Sequence, residues 1–130
     1  MGPLVSPHGS AELMPLLLEG SELAPERAHA LTLPRLPVSS RERGDIVMLG
    51  IGGFTPLTGF MSHADWRGVC DDMRCANGLF WPIPITLSAQ PSAAQALEIG
   101  QEVALVGPGD TEPIATLRIA EKYRIDKTHE

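Results

Sequence analysis

Lysine is nearly missing from this chain. Of its 130 residues only Lys122 and Lys127 are lysine. A P-loop needs Gly-x4-Gly-Lys-Ser/Thr, because the lysine reaches the terminal phosphates and the hydroxyl holds magnesium. The glycines between Gly50 and Gly59 have no such partner. Basic runs are missing too, and the nearest approach, Arg41-Glu42-Arg43, carries its own counter-charge. Acidic residues outnumber basic ones by 16 to 10, for a net charge of −6. Nucleic-acid binding leaves a basic footprint, so RNA or DNA is a poor fit as partner.

Cysteine is scarce as well. Cys70 and Cys75 are five apart, not in a C-x2-C hook, which suits a reducing compartment better than a disulfide scaffold. No apolar run approaches membrane-spanning length, and the first residues lack a basic region followed by an apolar stretch. The expectation is a soluble, cytoplasmic chain with no membrane partner.

What is present fits one domain spanning 1–130. A chain of this size buries roughly 65–70% of the surface its unfolded form exposes. An apolar fraction of 43% against 20% charged is ordinary for a folded protein, while 13 Gly and 12 Pro call for many turns.

The pattern along the chain predicts helices first and strands later. Ser10 to Leu18 reads as a short helix, with Leu13, Leu16 and Leu17 on one face and Gly20 ending it. Ser21 to about Leu31 is a second. Leu33 to Val38 is an extended connector, because each Pro pushes its predecessor out of the helical region. Ser39 to Gly50 begins with an N-cap candidate at Ser39 or Ser40, and its apolar run Ile46 to Leu49 fits a helix turn or a buried strand, a short helix leading into the glycines being the favoured reading. Ser62 to about Arg74 is the clearest helix, capped by Ser62 with Asp65 three residues on. Its apolar stripe is Trp66, Val69, Cys70 and Met73, and Asn77-Gly78 ends it. Ile83, Ile85 and Leu87 then alternate with Pro84, Thr86 and Ser88, an edge or irregular strand. Ala93 to Ile99 predicts one or two helical turns. Glu102 to Val106 is a strand, Gly107 to Asp110 a turn, and Ile114 to Ile125 the hairpin partner, with Ala115, Leu117 and Ile119 on one face. The fold class is α+β, helices before a small antiparallel sheet or barrel.

Candidate chemistry is thin. The dinucleotide fingerprint fails, since Gly50-Ile51-Gly52 would need a third glycine where Thr55 stands. The glycines are better read as turns and close packing, with Thr55 capping a helix that Pro56 begins. His63, Cys70 and Cys75 lie among Asp65, Asp71 and Asp72, but Cys70 belongs to the apolar stripe and His63 to the polar side. A tetrahedral metal site needs better convergence than that. His8, His29, His63 and His129 are scattered, with none in a nucleophile-elbow or metalloprotease context. No catalytic, cofactor-binding or metal-binding residue is assigned.

Gly44 to Met61, containing Gly50-Ile51-Gly52-Gly53-Phe54-Thr55-Pro56-Leu57-Thr58-Gly59-Phe60, closely resembles the ATP sulfurylase (sulfate adenylyltransferase) family, and so does Asp72 to Leu87 with Trp81-Pro82-Ile83-Pro84. The order of features agrees too: Pro7-His8-Gly9 ahead of these blocks, Glu102-Val103-Ala104-Leu105 and Lys122-Tyr123-Arg124 after them. Gly50, Gly52, Gly53, Phe54, Thr55, Pro56, Leu57, Gly59, Phe60, Trp81, Pro82 and Pro84 carry the resemblance as a structural motif. It implies an N-terminal PUA-like domain, a small barrel-like fold with flanking helices, incomplete at its C-terminal side. The family converts ATP and sulfate to adenosine 5′-phosphosulfate and diphosphate with magnesium. Its signatures Gln-x-Arg-Asn-Pro and His-x-x-His belong to a following catalytic domain, and neither occurs here. The resemblance therefore implies a segment inactive alone, whose partner is that absent domain in a homo-oligomeric full-length enzyme. ATP and Mg²⁺ are implied for the parent only. The rival reading is a free-standing PUA-like module binding RNA or protein, or an interaction piece presenting Trp66 or Trp81.

Overall fold

The computed structural model describes residues 5–129. After a 3-10 turn at Gly20–Glu22, the elements are α1 (Leu23–Ala30), β1 (Arg35–Pro37), α2 (Ser40–Gly50), α3 (His63–Asp72), α4 (Pro91–Ala96), β2 (Glu102–Val106) and β3 (Ala115–Arg118). The α+β class holds. The expected small antiparallel sheet or barrel is instead an open, mixed sheet in the order β1-β2-β3, with β3 antiparallel to β2 and β1, from the segment expected as a connector, parallel to it.

Two helices begin where side chains supply the missing partners. Ser39 accepts from the Glu42 amide and the Glu42 carboxylate accepts from the Ser39 amide, a complete capping box. Ser62 accepts from the Asp65 amide at 3.2 Å. Helix α3 stops earlier than its stripe suggested. Met73 adopts φ 54° and is exposed, while Trp66 and Val69 are buried. Asn77-Gly78 turns a short hairpin, closed by the Arg74–Phe80 bridge, instead of capping the helix.

Three expectations need correction. Ser10 to Leu18 is not helical; it is an irregular arm that bends at Ser10 to Glu12. The Leu16 and Leu17 amides donate to the Gly50 carbonyl at 3.0 and 3.1 Å, and the Met14 amide donates to Thr55 Oγ1 at 3.0 Å. Non-local bonds replace the helical ones. The expected connector at Leu33 to Val38 contains strand β1, pinned by Val38 N–H to Val106 O and Ala104 N–H to Pro34 O, both 2.9 Å. Ile83 to Leu87 forms no strand; Met61 and Ile85 pair instead, the Met61 amide donating to the Ile85 carbonyl at 2.8 Å.

The core divides in two. Leu36, Val38, Val103, Leu105 and Ile119 pack about the sheet, with Ala115 and Leu117 against them as the alternation required. Met61, Val69, Cys75, Trp81 and Ile85 form a second cluster, lined by Phe54, Leu57 and Leu79. Phe60 packs against both.

Candidate functional site

The two motif blocks meet in space. Phe54 packs edge-on to Trp81 with ring centroids 5.8 Å apart, and His8 lies 5.9 Å from Trp81. His8 Nε2 is 2.7 Å from the Phe80 carbonyl oxygen, so the arm reaches this point too. A concavity of about 350 Å³ opens here, lined by His8, Gly53, Phe54, Thr55, Phe80, Trp81, Pro82 and Ile83. Trp81 is buried, and its indole Nε1 has no hydrogen-bond partner.

Each glycine can be assigned by what surrounds it. Gly52 has φ +81°, and a Cβ there would stand 3.2 Å from the Pro15 nitrogen. Only glycine tolerates both conditions without strain. At Gly50 a Cβ would meet Leu17, and at Gly53 the Met48 side chain. Gly59 has open space around it. The block is therefore a seat for the arm.

Thr55 corrects its expected role. It is buried and caps no helix; its hydroxyl donates to the Gly52 carbonyl at 2.7 Å while accepting from Met14. The peptide before Pro56 is cis. Leu57 and Phe60 are half-buried, Pro84 likewise, and Pro82 is exposed. A second cleft of about 240 Å³ runs from Pro56 to Met61 past Asp65, Cys75, Asn77 and Leu79. Asp65 there already accepts from the Ala76 amide at 2.8 Å.

Neither concavity suits magnesium-bound ATP. The first is lined by no lysine, arginine or carboxylate, and the second offers one engaged carboxylate. Phosphoryl chemistry needs cationic groups and metal ligands aimed at the phosphates. Cys75 is no better placed as a nucleophile, since burial and the nearby Asp65 carboxylate push its thiol up.

The buried carboxylate of Glu42 was invisible as such in the sequence. Burial alone would raise its pKa, but bonds from the Ser39 and Ser88 amides and the Ser88 hydroxyl outweigh that and hold it below the usual range. It bolts the start of α2 to residue 88. A convergence of Glu26, His29 and Glu102 was missed as well, for His29 and Glu102 lie 73 residues apart. The expectation that Trp66 or Trp81 faces a partner also fails. Both are buried, and the exposed large apolar residues are others, among them Leu16, Leu17, Val47, Met48 and Ile51.

Helices flanking a small open sheet, with a long glycine-rich excursion between α2 and α3, define an α+β domain. The chain belongs to the PUA-like domain family, whose sequence pattern matches residues 5–130. It is 54% identical over its whole length to a sulfate adenylyltransferase of Thiobacillus denitrificans, covering 32% of that protein. It is 53% identical to one of Syntrophobacter fumaroxidans, again covering 32%. The chain thus spans about a third of the length of these relatives. Among solved structures, a hexameric APS kinase from Thiobacillus denitrificans superposes with a TM-score of 0.81 at 30% identity, over 94% of this chain and 24% of that one.

Proposed function

We propose that this chain is the N-terminal, non-catalytic segment of a cytoplasmic sulfate adenylyltransferase, and that it packs against the remaining two-thirds of that enzyme. The parent reaction joins ATP and sulfate into adenosine 5′-phosphosulfate and diphosphate. ATP and Mg²⁺ are held outside this segment. The carrying observation is end-to-end identity of 53–54% with enzymes three times as long, in a chain whose two concavities described above are lined by no lysine or arginine.

The packing surface is the seat of the arm. Val47 and Met48 lie in the last turn of α2 and Ile51 directly follows it, and the arm hydrogen-bonds Leu16 and Leu17 to the Gly50 carbonyl beside them. All five are exposed, an unusual concentration for a finished surface. Assembly into a homo-oligomer is supported by the hexameric state of the structural relative.

The test is complementation. The 130-residue chain alone should give no ATP from phosphosulfate and diphosphate, and mixing it with the remaining segment should restore turnover. Ile51→Glu should abolish that restoration. Robust turnover by the purified chain alone overturns the proposal.

A further inference from the structure

Glu26 and His29 stand one turn apart on α1, and Glu102 opens β2. One donor atom from each lies within 4.8 Å of the other two. Strand β3 orients both carboxylates. Its residues Thr116 and Arg118 sit opposite Ala104 and Glu102 in the ladder, two apart, and so project to the same face. The Thr116 hydroxyl donates to Glu26 Oε1, and Arg118 donates to Glu102 Oε1, each at 3.0 Å. Each carboxylate keeps its second oxygen. On Glu102 that oxygen, Oε2, lies 3.1 Å from His29 Nε2.

We propose that Glu26, His29 and Glu102 form a binding site for a divalent transition ion of the zinc type, with solvent completing its coordination. Zinc bonds of roughly 2.0–2.1 Å to nitrogen and oxygen put neighbouring ligands roughly 3.3 Å apart. In the present trio His29 Nε2 and Glu102 Oε2 are 3.1 Å apart and all three donor atoms lie within 4.8 Å of one another. One imidazole with two carboxylates favours zinc or cobalt over Mg²⁺, which prefers oxygen and keeps its water. Thr116 and Arg118 supply the outer bonds that hold such ligands in place. Arg118 also offsets one of the two carboxylate charges and keeps them together while the site is empty. The His29 side chain is 44% exposed, leaving a route in for the ion. Bound there, the ion clamps α1 to the sheet. This site is independent of the packing role proposed above.

The bland alternative is a surface ion-pair network of His29, Glu102 and Arg118, worth little and binding nothing. Titration of the tag-free, chelator-treated chain decides between them. Co²⁺ should give saturable visible absorption at one ion per chain, Zn²⁺ should displace it and raise the melting temperature, and Mg²⁺ should do neither. His29→Ala should abolish the cobalt bands. Glu26→Gln and Glu102→Gln should each weaken binding at least about tenfold, while His63→Ala leaves it unchanged. Metal-free melting curves report whether each variant folds, and the near-isosteric Glu26→Gln carries the test if His29→Ala does not. No saturable binding, or bands that survive both His29→Ala and Glu26→Gln, overturns the site.

Discussion

Around the sheet, Leu36, Val38, Val103, Leu105 and Ile119 are buried by regular strand pairing. In the glycine–aromatic region, Met61, Cys75, Trp81 and Ile85 are buried as thoroughly with hardly any regular structure. Isolated bonds outside any ladder hold it: Met61 to Ile85, Trp81 N–H to the Met73 carbonyl at 2.8 Å, and the Tyr123 hydroxyl to the Met61 carbonyl at 2.7 Å. A ladder distributes its support over many equivalent contacts. The irregular region depends on a few residues of one shape, so its substitutions should diverge sharply in cost.

The largest effect should come from Trp81→Ala. Removing a buried indole that Phe54, His8 and the second cluster pack against should cost ~3–5 kcal/mol. Denaturant unfolding measures it, and a loss no greater than that of Val103→Ala would erase the contrast. Trp81→Phe should be far milder than the lost volume suggests, because the indole N–H has no partner to leave behind.

Next is Glu42, which joins the regions by holding Ser88 to the capped end of α2. Glu42→Ala should cost ~2–3 kcal/mol, as buried amides and a hydroxyl lose a charged acceptor. Its pKa is lower folded than unfolded, so its contribution is complete above the unfolded value. That contribution drains away as pH falls through the folded value. Glu42→Gln should flatten this acid limb of the stability profile; an unchanged limb would show that the carboxylate is not the cause.

The glycines give the finest comparison. Gly52→Ala should cost ~1–2 kcal/mol, from its left-handed backbone and the approach of Pro15. It should also release the arm, visible as faster amide exchange at Leu16 and Leu17. Gly59→Ala, with open space and an ordinary φ, should stay within ~0.5 kcal/mol of the parent. Equal costs at the two positions would deny that the block is a seat.

Two capped helices and the central strand were legible in the sequence. Ser39 or Ser40 and Ser62 offered caps for their helices, and Glu102 to Val106 read as the strand that is β2. Those signals are local. The arm misled because Leu13, Leu16 and Leu17 have helical spacing while their true partners are Gly50 and Thr55. Strand β1 was hidden for a related reason. Its prolines argue for extension, but nothing nearby in sequence reveals that Ala104 and Val106 await it. In the motif Gly50 and Gly52 do pack closely, but against Leu17 and Pro15, some 35 residues upstream. Thr55 looked like a helix cap because Thr-Pro often is one; here the hydroxyl serves a turn and the arm at once.

Resonances of the Gly50, Gly52 and Gly53 amides test most directly whether this block packs or binds phosphate. In the ¹⁵N-labelled chain they should stay unmoved as Mg²⁺-ATP or diphosphate is added to millimolar excess, and shift or broaden when the remaining enzyme segment is added. Saturable movement of those three amides with nucleotide or diphosphate would contradict the packing role.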